Sequence, residues 1–208
     1  MGAILRAYQD PEALGQFLRV RREELRAELE KTRQRLALLE TTLERVGKDG
    51  IIMEYNVTLK ELPRRQVASL REVIPSYWQE GELWGRMMTE TAGQNLQIAE
   101  PCYSIAIFHD KEYREENVDV EVQMAVKGNY RDTENVRFFT AEPQTIASVT
   151  VQGSYQQMGR VNQVLASWIA GNGYEINGSM FNIYHVGPAQ TADESQWVTE
   201  VCMPVEKK

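Results

Sequence analysis

The 208-residue chain has little to offer covalent or metal chemistry: two cysteines, Cys102 and Cys202, and two histidines, His109 and His185. Neither cysteine has a second Cys or His at ligand spacing, which excludes a zinc pattern and a redox pair and predicts two buried thiols. There is no Ser-His-Asp order and no Cys beside a His, so no catalytic residue, metal ligand or cofactor is assigned. No apolar run approaches the roughly 20 residues needed to cross a bilayer. The opening MGAILRAYQDPE has neither a hydrophobic signal core nor a myristoylation pattern. A cytoplasmic protein without membrane contact is expected. Proline is scarce at seven residues, and the balance of 42% hydrophobic to 25% charged residues is that of a globular protein, which excludes disorder and collagen.

Positive charge is lacking over most of the chain. Residues 51–208 carry thirteen Lys/Arg against twenty-one Asp/Glu, whereas residues 12–48 are net positive by two. The acidic part lacks the clustered positive charge that counterion release on nucleic acid requires. Its field favours a cationic ligand.

From Asp10-Pro11 to Gly47 there is no further proline and one interior glycine. Asp10 suits an N-cap, Pro11 the first helical position, and Gly47-Lys48-Asp49-Gly50 a stop. Alternating steps of three and four give Leu18, Arg22, Leu25, Leu29, Thr32, Leu36, Leu39, Leu43 and Val46, a narrow apolar seam flanked by charge. The pattern predicts a coiled coil that dimerises through residues 12–46, because an isolated helix would leave its leucines in water. The alternative is a helix folded back on its own domain. Residues 1–50 are therefore read as dimerisation helix and linker, and 51–208 as a second domain.

That second domain repeats itself at a spacing of 78 to 79 residues. Ala92-Gly-Gln-Asn-Leu-Gln-Ile98 matches Ala170-Gly-Asn-Gly-Tyr-Glu-Ile176, Val67-Ala-Ser-Leu70 matches Ile146-Ala-Ser-Val149, and Glu121-Val-Gln-Met-Ala-Val126 matches Glu200-Val-Cys-Met-Pro-Val205. Each half, 51–130 and 131–208, reads as strand, strand, helix, strand, strand. The spans are 55–62, 66–74, 81–92, 102–109 and 118–126, then 136–142, 145–152, 156–171, 179–186 and 197–205. The fold class is α+β: a long N-terminal coiled-coil helix, then a duplicated half-sheet-plus-helix domain whose antiparallel sheet of about eight strands carries two helices on one face. The other face is expected to stay free.

Alternation along the last strand of each half sets the faces. Val201, Met203 and Val205 face the helices, so Glu200 and Cys202 face the open side. Glu200 is the leading site candidate, since a carboxylate between hydrophobic residues needs water, a network or a ligand. Its repeat mate Glu121 would lie across the pseudo-dyad. Tyr184, beside Asn182, and Tyr77 and Trp78 before the first helix are placed on the open face or its rim, as aromatic walls for a flat, apolar or cationic molecule. The competing reading makes these rings core residues and the carboxylates a solvated strand face.

The segment G153-S-Y155 before a helix, W168-I-A-G-N-G-Y174, the strand ending I183-Y184 and V198-T-E-V-C-M-P-V205 resemble the GyrI-like effector-binding domain. L18-R-V-R-R-E-E-L25 through R35-L-A-L-L-E40 is similar to the dimerisation helix that joins this domain to the winged helix-turn-helix of MerR-family multidrug-responsive regulators. The resemblance implies a small organic ligand, DNA contacted only through a module absent from this chain, and a strand glutamate where this sequence has Asn182. The expected function is the ligand-sensing, dimerising part of a bacterial transcriptional regulator. The alternatives are a small-molecule hydrolase of the GyrI-like type using Glu200 as base, and a gyrase-inhibitor-like protein-binding module.

Overall fold

The computed structural model describes residues 55–208 and, before them, residues 14–16, 18, 19, 21–26, 29 and 32. The chain divides into two compact units, Met1–Glu54 and Tyr55–Lys208. In the first, every described residue is helical, and Leu18, Leu25 and Leu29 are exposed on that helix. The rest of the expected seam, Leu36, Leu39, Leu43 and Val46, lies outside the described residues, as does the stop at 47–50.

The second unit is an antiparallel sheet with two helices. The strands are β1 (Thr58–Leu62), β2 (Arg65–Ile74), β3 (Gln97–Ile98), β4 (Ser104–Phe108), β5 (Val118–Lys127), β6 (Arg137–Ala141), β7 (Gln144–Gln152), β8 (Tyr174–Ile176), β9 (Phe181–Val186) and β10 (Val198–Lys207); the helices are α1 (Glu80–Thr91) and α2 (Met158–Gly171). Eight strands form the continuous order β1-β7-β10-β9-β4-β5-β2-β6, with β3 on β5 and β8 on β10. Exchanging each element for its repeat mate returns the same order. The halves therefore meet at the β4/β9 pair, where Ile105 lies opposite Ile183. Each half also lends its first strand to the other: β1 pairs with β7 and β6 with β2.

Local sequence explains the helices. In α1, Leu83, Met87 and Thr91 recur every four residues and are buried, while Glu80 and Glu82 occupy the first turn, where the helix dipole favours them. In α2 the buried stripe is Val161, Leu165 and Ile169. It is followed by Gly173 at φ +76°, a left-handed position that glycine occupies without strain. Short 3-10 turns, Tyr77–Gln79 and Tyr155–Gln157, precede the two helices.

Three apolar clusters hold the unit together. Leu83 and Met87 of α1 pack on Leu70, Val120 and Val122; Val161, Leu165 and Ile169 of α2 pack on Val149, Val201 and Met203. The expected orientation of Val201, Met203 and Val205 toward a helix is thus observed. The third cluster lies on the opposite face: Leu62, Ile105, Ile146, Phe181, Ile183 and Cys202, all buried. That corrects the expectation of a free face. At roughly 1.5–3 kcal/mol for each large side chain buried, this third core matters to stability as the first two do.

Candidate functional site

Because α1 rests on β2 and β5 and α2 on β7 and β10, the middle strands β4 and β9 have no helix directly over them. A groove runs between the helices. Its floor is set by register: Asn182 on β9 lies opposite Ala106 of β4 and Val201 of β10, and Tyr184 lies opposite Thr199. Since Val201 faces the helices, so do Asn182, Tyr184 and Thr199. Asn182 and Thr199 are buried, and their Oδ1 and Oγ1 atoms have no hydrogen-bond partner.

The walls are aromatic and come from both halves. Tyr77, in the turn before α1, meets Phe108 edge-on at 5.7 Å between ring centroids and stacks on Tyr113 at 5.7 Å. Its repeat mate Tyr155, in the turn before α2, packs on Trp197 at 4.7 Å and Tyr184 at 6.1 Å. Glu80 closes the set. Its carboxylate accepts from Trp84 Nε1 at 3.0 Å and from the Tyr184 hydroxyl at 2.9 Å, tying α1 to β9 across the groove. Burial raises the Glu80 carboxyl above its ordinary range, while those two hydrogen bonds pull it back. Burial, reinforced by the Glu80 charge, pushes the Tyr155 phenol up to about 12 and that of Tyr184 well above its usual value, so both stay protonated.

The sequence candidates separate onto two faces. Asn182 and Tyr184 belong to the groove and Tyr77 to its wall, whereas Trp78 is 88% exposed. Glu200, Glu121 and Cys202 lie on the face away from the helices. The expectation that Tyr184 and Asn182 share an open face with Glu200 is corrected: pairing Asn182 with Val201, one residue from Glu200, reverses its side.

Nor is Glu200 without partners. Lys60 Nζ lies 2.7 Å from its Oε1 and His185 Nε2 lies 3.3 Å from its Oε2. Burial opposes its ionisation, but hydrogen bonds from His185, Lys60 and Ser148 outweigh burial and hold the carboxyl at about 2. A carboxylate so tightly held is a weak general base near neutrality. Glu121 is built the same way, accepting from Ser69 at 2.6 Å and Gln123 at 2.7 Å with His109 Nε2 at 2.8 Å. Burial works against its ionisation, yet these bonds keep its carboxyl below the usual range. Burial pushes the Cys202 thiol well up, so it stays neutral.

Glu80, Tyr155, Trp197 and Thr199 escaped sequence reasoning as site residues. The signal for Tyr155 was present, since Ser76-Tyr77 and Ser154-Tyr155 stand one repeat apart. An open recess of about 500 Å³ beside β2 contains Arg71, Arg86 and Arg137. Each is paired with a carboxylate, of Asp119, Glu72 and Asp132 respectively, so the recess offers no uncompensated positive charge. Among the described residues no group of three His, Cys, Asp or Glu side chains could hold a metal, and no helix is long and apolar enough to cross a membrane.

A duplicated half-sheet-plus-helix unit with an aromatic groove between its halves defines a ligand-binding domain. Residues 55–206 match the GyrI-like small molecule binding domain, and the chain belongs to that family. The crystal structure of the EcmrR C-terminal domain is 31% identical over 75% of this chain and all of that one, with a TM-score of 0.71. EcmrR in its complex with DNA is 29% identical over 92% of this chain and 72% of that chain, with a TM-score of 0.74. A Listeria innocua protein described as a hydrolase shares the fold at 8% identity and a TM-score of 0.55, covering 78% of this chain and 98% of its own. Among curated proteins none matches.

Proposed function

We propose that the chain is the ligand-sensing, dimerising part of a MerR-type transcriptional regulator, and that its groove takes a cationic aromatic molecule. One observation carries the ligand class: the buried Glu80 carboxylate stands among Tyr77, Trp84, Tyr155, Tyr184 and Trp197, where a flat cation gains stacking, cation–π attraction and an ionic contact together. Similarity to EcmrR, whose DNA complex aligns with 92% of this chain, supports a role in regulation. The half-exposed Leu18, Leu25 and Leu29 support a second copy as the partner of the N-terminal helix. A ligand bridging the halves would bias how the domain is held in the dimer, to the extent that it binds one arrangement more tightly than another.

The test is a titration with tetraphenylphosphonium, followed by quenching of the groove tryptophans. Glu80→Gln keeps the shape but removes the charge, and its single amide oxygen can accept from only one of Trp84 Nε1 and the Tyr184 hydroxyl. The substitution should weaken binding by roughly 1–3 kcal/mol, the scale of a desolvated charged contact. Equal affinity for wild type and variant, or no binding to either, would defeat the proposal.

A further inference from the structure

Most buried polar side chains of this sheet are satisfied. Glu121, Glu200, Ser69 and Gln123 all hold hydrogen-bond partners on the face away from the helices. Among the described residues four buried side-chain atoms lack a partner: Arg65 Nε on β2, Asn162 Oδ1 on α2, and two on the groove floor. Asn182 is 7% exposed and Thr199 0%, and the Asn182 Oδ1 and Thr199 Oγ1 atoms are buried without a partner. The two residues stand on the adjacent strands β9 and β10, one pair of register positions apart, with Ala106 opposite Asn182 and no bulk beyond a methyl group there. Leaving two acceptors dry on neighbouring strands is costly to the fold, and such a cost persists where something else supplies the missing hydrogens.

The surrounding bonds settle which atom of Asn182 is left over. The Tyr184 hydroxyl spends its hydrogen on Glu80, so its oxygen can only accept. The Asn182 amide nitrogen is the donor that bears on that oxygen, favouring the ionised phenol as a donor does. The Oδ1 atom is then the free end of a polarised row running from Asn182 through Tyr184 to Glu80. The Thr199 hydroxyl bears on the Tyr155 oxygen as a donor, favouring the ionised phenol, and no donor reaches its own oxygen.

We infer that the groove selects cationic aromatic ligands that carry N–H donors, protonated amines or amidinium groups, over quaternary cations of the same shape, with Asn182 Oδ1 as the acceptor and Thr199 beside it. The inference rests on the groove being the ligand site, as proposed above. Glu80 supplies attraction that any cation feels; Asn182 and Thr199 add a contact only an N–H can make. A trimethylammonium group would cover both oxygens and leave them dry.

A matched pair of probes separates the two terms: naphthylmethylammonium and its N,N,N-trimethyl counterpart, which share ring and charge and differ in N–H groups. Affinities are measured by calorimetry for wild type, Asn182→Leu and Thr199→Val, and the variant-to-wild-type ratio for each probe cancels differences in hydration. Asn182→Leu should weaken the ammonium probe about tenfold, the scale of a hydrogen bond to a charged group, and the trimethyl probe less than about twofold. The variant should melt close to wild type, because it deletes an unsatisfied acceptor together with the donor to Tyr184. Thr199→Val should show the same selective loss, and it carries the test should Asn182→Leu fold poorly. Equal weakening of both probes, or no weakening of either, overturns the inference while leaving the groove as the ligand site. Failure of both probes to bind wild type overturns the inference and the groove together.

Discussion

Glu200→Gln offers a direct measure of what the duplicated carboxylates do. Glu200 is 3% exposed and held by Lys60 and His185, with its carboxyl kept at about 2 against an ordinary 4.5. At 1.36 kcal/mol per pH unit, that depression corresponds to about 3 kcal/mol of native-state stability at neutral pH. The folded value is depressed, so the contribution is present in full above the unfolded value near 4.5 and disappears as pH falls through about 2. Glutamine keeps the shape and loses the charge. Lys60 is left without its carboxylate but is partly exposed and can hydrate, which moderates the loss. The variant should therefore be about 2–3 kcal/mol less stable by urea unfolding at pH 7, and the gap should narrow at pH 3. Ligand affinity in the groove should be unchanged, because Glu200 lies on the other face. A gap of the same size at pH 3 and pH 7, or no gap at either, would refute the assignment of Glu200 to an ion-paired structural role.

Residues 55–208 alone should unfold cooperatively as a monomer, since they form a compact unit with three apolar clusters; a broad, non-cooperative melt would show that residues 1–54 are needed. Sedimentation should give twice the chain mass for the full protein, and Leu25→Asp with Leu29→Asp should return it to a monomer; a dimer that survives would place the contact elsewhere. Leu165→Ala removes a fully buried side chain of the second core and should cost about 2–5 kcal/mol in denaturant unfolding. Trp78→Ala should change stability by less than about 0.5 kcal/mol and leave probe binding as it was, since the ring stands in solvent.

Much of the fold is legible in the sequence because the unit is written twice. The expected strands 66–74 and 118–126 are β2 at Arg65–Ile74 and β5 at Val118–Lys127. The expected helix 156–171 is a 3-10 turn at Tyr155–Gln157 followed by α2 at Met158–Gly171. Strands β3 and β8 are missed because two or three residues carry no period. The site was harder. Alternation gives each strand two faces but says nothing about which residue of a neighbour stands opposite, and Asn182 is placed only by its pairing with Val201. The partner of Glu200 was hidden for another reason. Lys60 lies 140 residues away in sequence and arrives because β1 crosses to β7 of the other half, an exchange no local pattern announces.

The two faces of the sheet have diverged to different extents, and the difference separates architecture from recognition. On the face away from the helices the repeats still agree: Ser69 and Ser148, Glu121 and Glu200, and a histidine for each carboxylate, His109 and His185. A symmetric network of this kind can hold two halves together whatever the groove contains. Among the groove side chains only Tyr77 and Tyr155 are the same in both halves. Strand register makes Ala106 the counterpart of Asn182 and Phe108 that of Tyr184, while at the repeat spacing Glu80 corresponds to Met158, Trp84 to Asn162 and Thr199 to Val120. The first half thus supplies the charge and the second the acceptors, with Ala106 leaving space opposite Asn182. A groove built symmetrically would offer a cation two equivalent poses. This one puts the carboxylate on one side and the open oxygens on the floor, so under the proposed function a ligand bearing both charge and N–H groups has one orientation that satisfies all of them, and a single pose is what would let it favour one arrangement over another.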